Sequence, residues 1–316
     1  MNVRAKRFLA IITSLVIIAL IALVIIYVNV FKIRPVFTKT SVDEREWTLT
    51  PDFEKTIIEG NYWSFARASY VLVGQYPDYE YYKIPSNVPR NDYDTDSFFI
   101  DDDDFMYYHD DNAGKISHIA VDVSSYQTQV DWEALKSAGV DTALIRVGYR
   151  GYGTGEVVYD TMFESHIKGA QEAGINNIGI YFFTQAINYD EGAEEAQYAI
   201  DAAREYGLTG PIIIDTETIY TDDEVRTEGL SIEARTDAVV GFCETVENAG
   251  YEPLVYSNRN WFVQGLDMSR IGNYKLWLAQ YANQPDFPYL YIGWQYTSEG
   301  RVPGMDIDLD LNVWLE

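Results

Sequence analysis

From about residue 115 onward, short apolar runs alternate with longer segments that have a helical period. Runs such as "HIAVDVSSY", "TALIRVGYR", "NIGIYFFTQ", "PIIIDTET" and "EPLVYSN" are rich in β-branched residues and nearly continuous in apolar character, which is typical of buried parallel strands. Four segments between them begin at an N-capping residue and end at glycine: residues 131–139, 160–174, 190–207 and 231–250. The pattern predicts strands that alternate with helices.

The order of these elements predicts a closed sheet. Five strands separated by four helices require right-handed parallel crossovers. Three further strand-like runs, "YKLWLAQY", "YIGWQYT" and "MDIDLDLNVW", follow with short connections. Eight strands that close on themselves leave no exposed edge. We therefore expect an α/β barrel over residues 116–316.

An uncharged apolar segment lies near the start of the chain. Residues 8–31, "FLAIITSLVIIALIALVIIYVNVF", hold no charged residue over 24 positions, enough to span a bilayer. The apolar part of a cleavable signal peptide is shorter, about 7–15 residues. We expect a single transmembrane helix that acts as an uncleaved signal anchor. Basic residues flank both of its ends, so only the acidic body and the function argued below favour an outside location for the remainder.

The segment that follows, residues 32–115, is rich in tyrosine and aspartate and shows no sustained helical period. It is expected to be an acidic juxtamembrane extension or spacer, because its charges repel one another. The aromatic residues before residue 90 indicate that this part packs into a small folded collar. Asp92, Asp94 and Asp96 resemble the start of a calcium-binding loop, but Ser97 replaces the glycine that such a loop needs for its turn.

Composition excludes several classes of function. The net charge of -26 argues against nucleic acid as a partner, which requires clustered lysine and arginine. A single cysteine, Cys243, excludes an intrachain disulfide framework. His109, His118 and His166 lack the spacing of a zinc site, so carboxylates alone are left as ligands for calcium. No metal or cofactor is predicted, and the oligomeric state is left open.

Acidic residues stand where the predicted strands end, and in a parallel barrel these ends carry function. Asp122 follows "HIAV", Asp215 and Glu217 follow "PIII", and Asp308 and Asp310 lie in the last strand. Residues two apart share one face of a strand, so Asp215 and Glu217 both point into the barrel mouth, roughly 6.5–7 Å apart. Crowding raises the proton affinity of at least one carboxyl. One protonated and one ionised acid are what glycoside hydrolysis requires.

Aromatic residues near the same strand ends are candidates for a sugar-binding cleft. Their rings can stack on the apolar faces of pyranose units, although core packing is the alternative for each of them. Strand alternation will bury some. The candidates are Tyr181, Tyr256, Trp277, Tyr281, Trp294 and Tyr296.

Residues 117–316 resemble the glycoside hydrolase family 25 lysozymes. The matching motifs, in order, are "DVSSYQ" with "DW" shortly after, "IRVGYRG", "YFF" before an acidic, alanine-rich helix, "IDTE", "YSN", "WLAQY", "WQYTSEGRVPG" and the terminal "DLN". The resemblance implies a (β/α)5(β)3 barrel of the TIM-like kind. It also implies hydrolysis of the β-1,4 bond between N-acetylmuramic acid and N-acetylglucosamine in peptidoglycan.

The resemblance also implies roles for single residues. Glu217 matches the general acid/base, and Asp215 matches the residue that orients or stabilises the 2-acetamido group of the substrate in a substrate-assisted mechanism. Asp122 and Asp310 match the other two acidic positions, with Asp310 rather than Asp308 fitting the final "D-x-N". Tyr181 matches a substrate-facing tyrosine. Phe182 departs from the family, many members of which have histidine there.

The sequence thus predicts a membrane-anchored peptidoglycan muramidase whose catalytic barrel lies outside the cell membrane and faces the cell wall. Its partners would be glycan strands and, through residues 8–31, the membrane, with cell-wall remodelling or catabolism as its role. A catalytically silent wall-binding protein on the same barrel is one alternative, although the four retained acids argue against it. A glucosaminidase or chitinase-type glycosidase is the other.

Overall fold

The computed structural model describes residues 51–315, which divide into two compact units, one ending at Ile84 and the other beginning at Pro85. The predicted membrane span at residues 8–31 lies outside the described residues. Between residues 51 and 315, no helix is long and apolar enough to cross a bilayer.

The first unit consists of a helix and a hairpin. Helix α1, Pro51–Asn61, continues into a π-helical turn at Tyr62–Ala66, and strands β1, Tyr70–Val73, and β2, Glu80–Lys83, pair antiparallel. The buried side chains of this unit include Tyr62, Ala66, Val71, Val73 and Ile84. The aromatic-rich sequence from residue 51 to residue 84 is therefore folded.

Residues 85–115 belong to the second unit, so the predicted boundary at residue 116 lies inside that unit. Strands β3, Phe98–Ile100, and β4, Met106–Asp110, pair antiparallel and lengthen the barrel sheet beyond its first strand. The Tyr93 hydroxyl donates to Tyr291 O at 2.7 Å, and the Phe98 ring contacts Trp294 edge to face at 5.1 Å. This part of the chain was predicted to be an extension or spacer because its aspartates repel one another, but its aromatic residues fold it onto the barrel.

Eight strands form the barrel. β5 to β12, leaving out β7, run parallel to one another, and β13 closes the ring antiparallel to both β12 and β5. β7 forms a hairpin with the end of β6. The predicted eight-stranded α/β barrel is confirmed. The strands are β5 Lys115–Val123, β6 Val140–Arg150, β7 Val157–Tyr159, β8 Asn177–Phe183, β9 Ile212–Asp215, β10 Pro253–Asn258, β11 Lys275–Ala279, β12 Gly293–Gly300 and β13 Leu309–Leu315.

The four predicted helices are present as α2 to α5. Asp131, Asn188 and Ser231 cap three of them by accepting a backbone N–H of the first turn. Each of the four is followed by a glycine with positive φ, the left-handed conformation that glycine adopts without strain. Two short helices between β10 and β11, α6 and α7, were not predicted. The helices are α2 Trp132–Ser137, α3 Phe163–Glu172, α4 Tyr189–Glu205, α5 Ile232–Asn248, α6 Arg259–Gln264 and α7 Met268–Ile271.

Two glycines bring α4 and α5 into backbone contact. A methyl group on Gly192 would lie 2.0 Å from Ala238 O, and one on Gly241 would lie 2.2 Å from Tyr189 O. Neither position has room for a side chain, because its neighbour is backbone and cannot move aside. The first turn of α4 is therefore fixed in place against α5.

The barrel interior is packed below its mouth. Leu144, Ile213 and Leu254 form a buried cluster with the rings of Tyr181, Tyr256 and Trp277. In β9, Ile213 and Asp215 share the inward face, while Ile212 and Ile214 are buried on the opposite face. The apolar run before Asp215 thus anchors the strand on both sides.

Candidate active site

Four carboxyl groups meet at the C-terminal mouth of the barrel. Asp122 of β5 and Asp310 of β13 lie opposite each other across an antiparallel pair. Asp215 is the last residue of β9, and Glu217 follows it by two positions. Asp122 acts electrostatically on each of the other three. The acids that the sequence singled out are therefore brought together, whereas Asp308 pairs with Arg301 at the surface.

Burial raises the pKa of all four groups, and the charges of neighbouring carboxylates add to the rise for Asp215, Glu217 and Asp310. Burial, followed by the charge of Asp122, raises the pKa of Glu217 to about 7. Burial with the charges of Asp122 and Glu217 raises that of Asp310 to about 8. Burial raises the pKa of Asp122 to about 6 against two hydrogen bonds that lower it. The mouth therefore retains protons at neutral pH.

Asp215 is the most confined of the four. Its pKa is raised well above its ordinary value, by burial first and then by Glu217 and Asp122. Its backbone is held, since its carbonyl accepts the Thr184 N–H at 2.9 Å. Its side-chain Oδ1, by contrast, is buried and has no hydrogen-bond partner within the described part of the chain. An unpaired buried acceptor is costly, which marks this atom as a point for ligand contact.

Asp122 is oriented by an amide whose own orientation is fixed. Its Oδ2 accepts from Gln295 Nε2 at 2.9 Å. Gln295 Oε1 accepts in turn from the hydroxyls of Tyr256, at 2.8 Å, and Tyr281, at 3.0 Å. Because both tyrosines donate to the oxygen, the NH2 end of the amide faces Asp122.

A second amide approaches Asp122 in the same way. Asn312 Nδ2 donates to Asp122 Oδ2 at 2.8 Å, and Asn312 Oδ1 accepts from Trp277 Nε1 at 2.7 Å. Two donors on one oxygen favour the ionised form of Asp122. Asp122 is therefore the carboxyl of the mouth best suited to carry a charge near neutral pH.

Arg146 of β6 supplies a positive charge beside the acids. Its Nε donates to Asp160 at 2.7 Å, and a terminal nitrogen donates to Ser125 Oγ at 2.8 Å. The charge opposes the rise of the Asp215 pKa, and it lowers that of Tyr181 against the stronger effect of burial. Arg146 thus partly offsets the negative charge of the site.

The predicted aromatic residues divide into two groups. Tyr181, Tyr256 and Trp277 lie inside the barrel, with ring centroids of Tyr256 and Trp277 4.3 Å apart. They form the floor beneath the acids. Trp277 is only 1% exposed, so its ring packs in the core, which was the alternative to stacking on a sugar.

Trp294 and Tyr296 were placed wrongly in the cleft. They flank Gln295 along β12, and since Gln295 points inward, both rings point outward. Trp294 packs on Phe98, and the Tyr296 hydroxyl accepts from Met106 N at 3.2 Å. The segment that covers this outer face, residues 85–115, is the one that the sequence analysis treated as a spacer.

Three exposed tyrosines follow the C-terminal ends of barrel strands. Tyr281, after β11, is 60% exposed, although its hydroxyl is tied to Gln295. Tyr126 follows β5 with its ring 5.2 Å from the Arg146 guanidinium, and Tyr220 lies in the loop after β9. Of the three, only Tyr281 was predicted from the strand pattern as a candidate for the sugar-binding cleft, because Tyr126 and Tyr220 lie in loops outside that pattern.

Gln295, Asn312 and Arg146 were not identified as site residues from the sequence, although each lies in a motif that was noted. Asn312 is two positions from Asp310 and so shares its face of the strand, a signal that strand alternation offers. Gln295 is a polar residue within an aromatic strand. Arg146 carries a charge in a buried strand, which is rare unless the charge is paired.

Within residues 51–315, no group of three or more histidine, cysteine, aspartate or glutamate side chains is arranged to hold a metal ion. The aspartates that resembled a calcium loop are engaged elsewhere. Asp92 binds the Lys115 ammonium at 2.7 Å, and the Asp94 side chain accepts the Asp96 N–H. Cys243 is a buried thiol in α5.

Comparison with known proteins places this arrangement in context. The profile described as "Glycosyl hydrolases family 25" matches residues 121–305. The autolytic lysozyme of Clostridium acetobutylicum is 27% identical over 197 residues, which are 62% of this chain and 55% of the relative. Lysozyme M1 of Streptomyces globisporus is 25% identical over 202 residues, 61% of this chain and 66% of that protein. The chain spans between half and two thirds of the length of these curated relatives.

Solved structures share the fold. The modular autolysin LytC of Streptococcus pneumoniae, determined in complex with a synthetic peptidoglycan ligand, aligns with a TM-score of 0.56 at 22% identity, covering 78% of this chain and 56% of that one. A family 25 glycosyl hydrolase from Bacillus anthracis aligns with a TM-score of 0.52 at 21% identity, covering 66% and 92%. At such identity the likeness is one of fold.

Proposed function

This chain belongs to glycosyl hydrolase family 25, whose profile covers more than half of its length, and from this premise we propose that it is a peptidoglycan muramidase. It would hydrolyse the β-1,4 bond between N-acetylmuramic acid and N-acetylglucosamine. The observation that carries the proposal is the meeting of Asp122, Asp215, Glu217 and Asp310 at the barrel mouth, with pKa values raised by burial.

Glu217 is the proposed general acid/base. A carboxyl with a pKa of about 7 is protonated in a large fraction of molecules at neutral pH and can protonate the leaving glycosidic oxygen. As a carboxylate it then takes a proton from the water that completes hydrolysis. Its partial exposure at the mouth suits contact with a sugar that enters from solvent.

Asp215 is proposed to bind the 2-acetamido group of the substrate. Its unpartnered Oδ1 is an acceptor for the acetamido N–H, which would orient the acetamido oxygen toward the anomeric carbon. Asp122, held by Gln295 and Asn312, would supply the negative charge that supports the positive centre developing there. Asp310, with a pKa of about 8, would remain a hydrogen-bond donor in this range.

We further propose that residues 8–31 span the cell membrane and that the barrel lies outside, facing the cell wall. The uncharged 24-residue segment and the acidic remainder of the chain support this topology. Anchoring would restrict hydrolysis to glycan strands near the membrane, which suits remodelling of the cell's own wall. Protease treatment of intact, wall-stripped cells should degrade the barrel, and recovery of the mature protein from the medium would contradict anchoring.

The activity is tested on purified peptidoglycan with the full chain in detergent. Reduction of the released fragments with borohydride followed by mass spectrometry identifies the sugar at each new reducing end. We expect muramic acid ends from the wild type, and a loss of about 10²- to 10⁴-fold for Glu217→Gln, which cannot donate a proton. Glu224→Gln, a change at an exposed glutamate of the same loop, is the matched control and should retain wild-type release.

Each alternative has its own outcome. N-acetylglucosamine ends would assign a glucosaminidase in place of a muramidase. Binding of peptidoglycan without release of any fragment would support a silent wall-binding protein. Equal release from the wild type and Glu217→Gln would overturn the role given to Glu217.

A further inference from the structure

The residues that follow Glu217 form a long connection without regular structure. No helix or strand occurs between Asp215, at the end of β9, and Ile232, at the start of α5. Such a segment has no ladder of backbone hydrogen bonds to keep its shape, yet it carries the proposed general acid near its first residue. Other contacts must hold it in place.

Two regions of this connection contact the body of the barrel through side chains. At its start, Ser257 Oγ donates to Thr216 O at 2.6 Å and Trp261 Nε1 donates to Thr216 Oγ1 at 3.2 Å. Beyond Glu217 the main contacts are those of Arg226.

The two terminal nitrogens of Arg226 donate to the two carboxylate oxygens of Glu191, at 2.8 and 2.9 Å, in a bidentate pair. One of the nitrogens also donates to Gln185 O at 3.0 Å. Glu191 lies in the first turn of α4, which Gly192 fixes against α5. Arg226 thus ties a loop without regular structure to a rigid helix end.

The helix end is itself part of a buried ion cluster. Arg150 of β6, 5% exposed, donates to Glu195 at 2.7 Å and to Glu194 at 2.7 Å. Its Nε lies 3.8 Å from the Glu191 carboxylate, and another nitrogen donates to Gly155 O at 2.9 Å. We call these five residues, Arg150, Glu191, Glu194, Glu195 and Arg226, the ion cluster.

The same cluster reaches the other end of the catalytic segment. Glu195 is fully buried and accepts the Thr184 hydroxyl at 2.5 Å. The Thr184 N–H donates to Asp215 O at 2.9 Å. The chain from Asp215 to Arg226 is therefore held at both ends, through Thr184 at its start and through Glu191 at its end, and Glu217 lies between the two points.

We propose that Arg226 is a positioning residue which, through its bidentate pair with Glu191, holds Glu217 in its place at the barrel mouth. The inference rests on the proposed muramidase function and adds to it a residue of the same loop that lies outside the group of acids. Arg226 is not expected to touch the substrate. It acts by limiting the positions that the loop, and with it the Glu217 carboxyl, can occupy.

Loss of the Arg226 side chain should loosen the loop without unfolding it. The backbone bond from Arg226 N to Tyr152 O, at 2.8 Å, and the bond from the Thr227 hydroxyl to Gln185 Oε1, at 2.9 Å, do not depend on that side chain. Glu191 would keep the Ile187 N–H and the charge of Arg150 nearby. The expected consequence is a mobile Glu217 on an intact barrel.

The test compares three variants of the full chain in detergent on purified peptidoglycan: Arg226→Leu, Arg226→Lys and the control Arg270→Leu. Arg270 pairs with Asp237 of α5 at 2.7 Å in a partly exposed ion pair, and neither residue belongs to the ion cluster. Arg226→Leu should lower kcat about ten- to a hundredfold and change KM less than about threefold, because misplacement of a catalytic group affects chemistry more than binding. Arg226→Lys keeps the charge and loses the fork, so its kcat should be intermediate. Arg270→Leu should match the wild type.

The pH profile separates positioning from a merely structural role. Glu217 is faced by Asp122, Asp215 and Asp310, with Arg146 beside them, and burial is the main cause of its raised pKa. A loosened Glu217 spends more time in water, so the alkaline limb of the kcat profile of Arg226→Leu should move to lower pH. A uniform loss of active protein would lower kcat and leave that limb in place.

The outcomes distinguish this proposal from the one on which it rests. A wild-type chain that releases no muramic acid ends overturns the muramidase function itself. An active wild type with wild-type kcat and pH profile in Arg226→Leu overturns the positioning role alone. A lower kcat with an unmoved alkaline limb and loss of circular dichroism signal at the assay temperature also overturns it, because the effect is then on folding.

Discussion

Two groups of carboxyls, one at the barrel mouth and one in the ion cluster, lie in the same barrel unit and have opposite charge environments. At the mouth, Asp122, Asp215, Glu217 and Asp310 face one another, and Arg146 moderates them. In the ion cluster, two arginines face three glutamates at hydrogen-bonding distances. Burial raises the pKa of Glu191 in the cluster, but Arg226, the Ile187 N–H and Arg150 outweigh it, so the pKa is lowered. Glu217 is more deeply buried and has no cationic partner among the causes of its shift, and its pKa rises to about 7.

The difference in charge compensation shows that the ion cluster contributes to stability and the acids of the mouth to catalysis. The ion cluster stabilises most of its charges with hydrogen-bonded partners of opposite sign, so it holds elements of the barrel together. The mouth leaves its acids poorly compensated, so they retain protons that chemistry can use, at a cost in folding free energy. Glu195 lies between the two cases, because its complete burial raises its pKa to about 7 against the bonds from Thr184 and Arg150.

Removal of Arg150 should have the largest effect on stability, because Arg150 balances the charges of Glu194 and Glu195. Arg150→Leu leaves Glu195 buried without its cation, which typically costs about 3–5 kcal/mol of unfolding free energy. Chemical denaturation at pH 7 measures this loss. Adding Glu195→Gln should recover part of it, since the uncompensated charge is then gone.

Arg204→Leu, on the helix α4 that carries Glu195, provides the matched control. Arg204 pairs with Asp201 at 3.6 Å, and both side chains are more than half exposed. Such a pair contributes at most about 1 kcal/mol. Equal losses for the two arginine variants would contradict the distinction between a buried cluster and a surface pair.

The pH dependence of hydrolysis tests the raised pKa values of the acids at the barrel mouth. Glu217 must be protonated and Asp122 ionised, so kcat should be highest between a pH of about 6 and about 7, fall at lower pH as Asp122 takes up a proton, and fall about tenfold per unit at higher pH, near a hundredfold at pH 9. Asp122→Asn removes a charge that raises the Glu217 pKa, and its alkaline limb should therefore lie at lower pH. Fragment release measured between pH 5 and 9 tests both. A limb in Asp122→Asn that is unmoved or shifted upward would contradict the electrostatic coupling of the two acids.

Removal of one acid from the mouth should stabilise the fold, in contrast to the cluster. A group whose folded pKa is raised binds more protons in the folded state, so its contribution is favourable at low pH and is lost as pH rises through the folded pKa. Asp310 titrates at about 8, against 3.8 ordinarily. Asp310→Asn should therefore raise the unfolding free energy by about 1–2 kcal/mol at pH 8 and leave it nearly unchanged at pH 4. Asp306→Asn, at an exposed position of the preceding loop, is the control.

The strand order and the acids could be predicted because each depends on local pattern. Continuous apolar runs with helix caps between them predict β–α alternation, and an acid directly after such a run falls at the C-terminal mouth. Asp122 and Asp215 follow from that rule, whereas Asp310 lies at the start of the antiparallel strand β13 and was singled out by the terminal "D-x-N" of the family resemblance. The parity of β9, with Ile213 and Asp215 on one face, was likewise available from the sequence.

What escaped prediction depends on contacts between segments distant in the chain. Because the Gln295 side chain points into the barrel, those of Trp294 and Tyr296 point outward. The sequence "WQY" alone does not determine whether the glutamine or the two aromatic residues face the interior. Residues 85–115 were judged by their charge, whereas their fold follows from aromatic contacts with β12. The ion pair between Arg226 and Glu191 joins a loop to a helix 35 residues earlier in the chain. The periodicity of apolar residues carries no information about such a contact.

The smallest expected effect separates the inner and outer tyrosines of the barrel wall. Tyr281→Phe removes one of the two hydroxyls that hold Gln295, and Tyr256 still donates to the same oxygen, so Asp122 should lose little of its orientation. We expect a two- to fivefold fall in kcat/KM, about 1 kcal/mol or less, which is the net value of one hydrogen bond. Tyr296→Phe removes a hydroxyl that accepts only from Met106 N on the outer face, and it should leave kcat/KM unchanged. A larger fall for Tyr296→Phe than for Tyr281→Phe would mean that the two faces of β12 had been assigned the wrong way round.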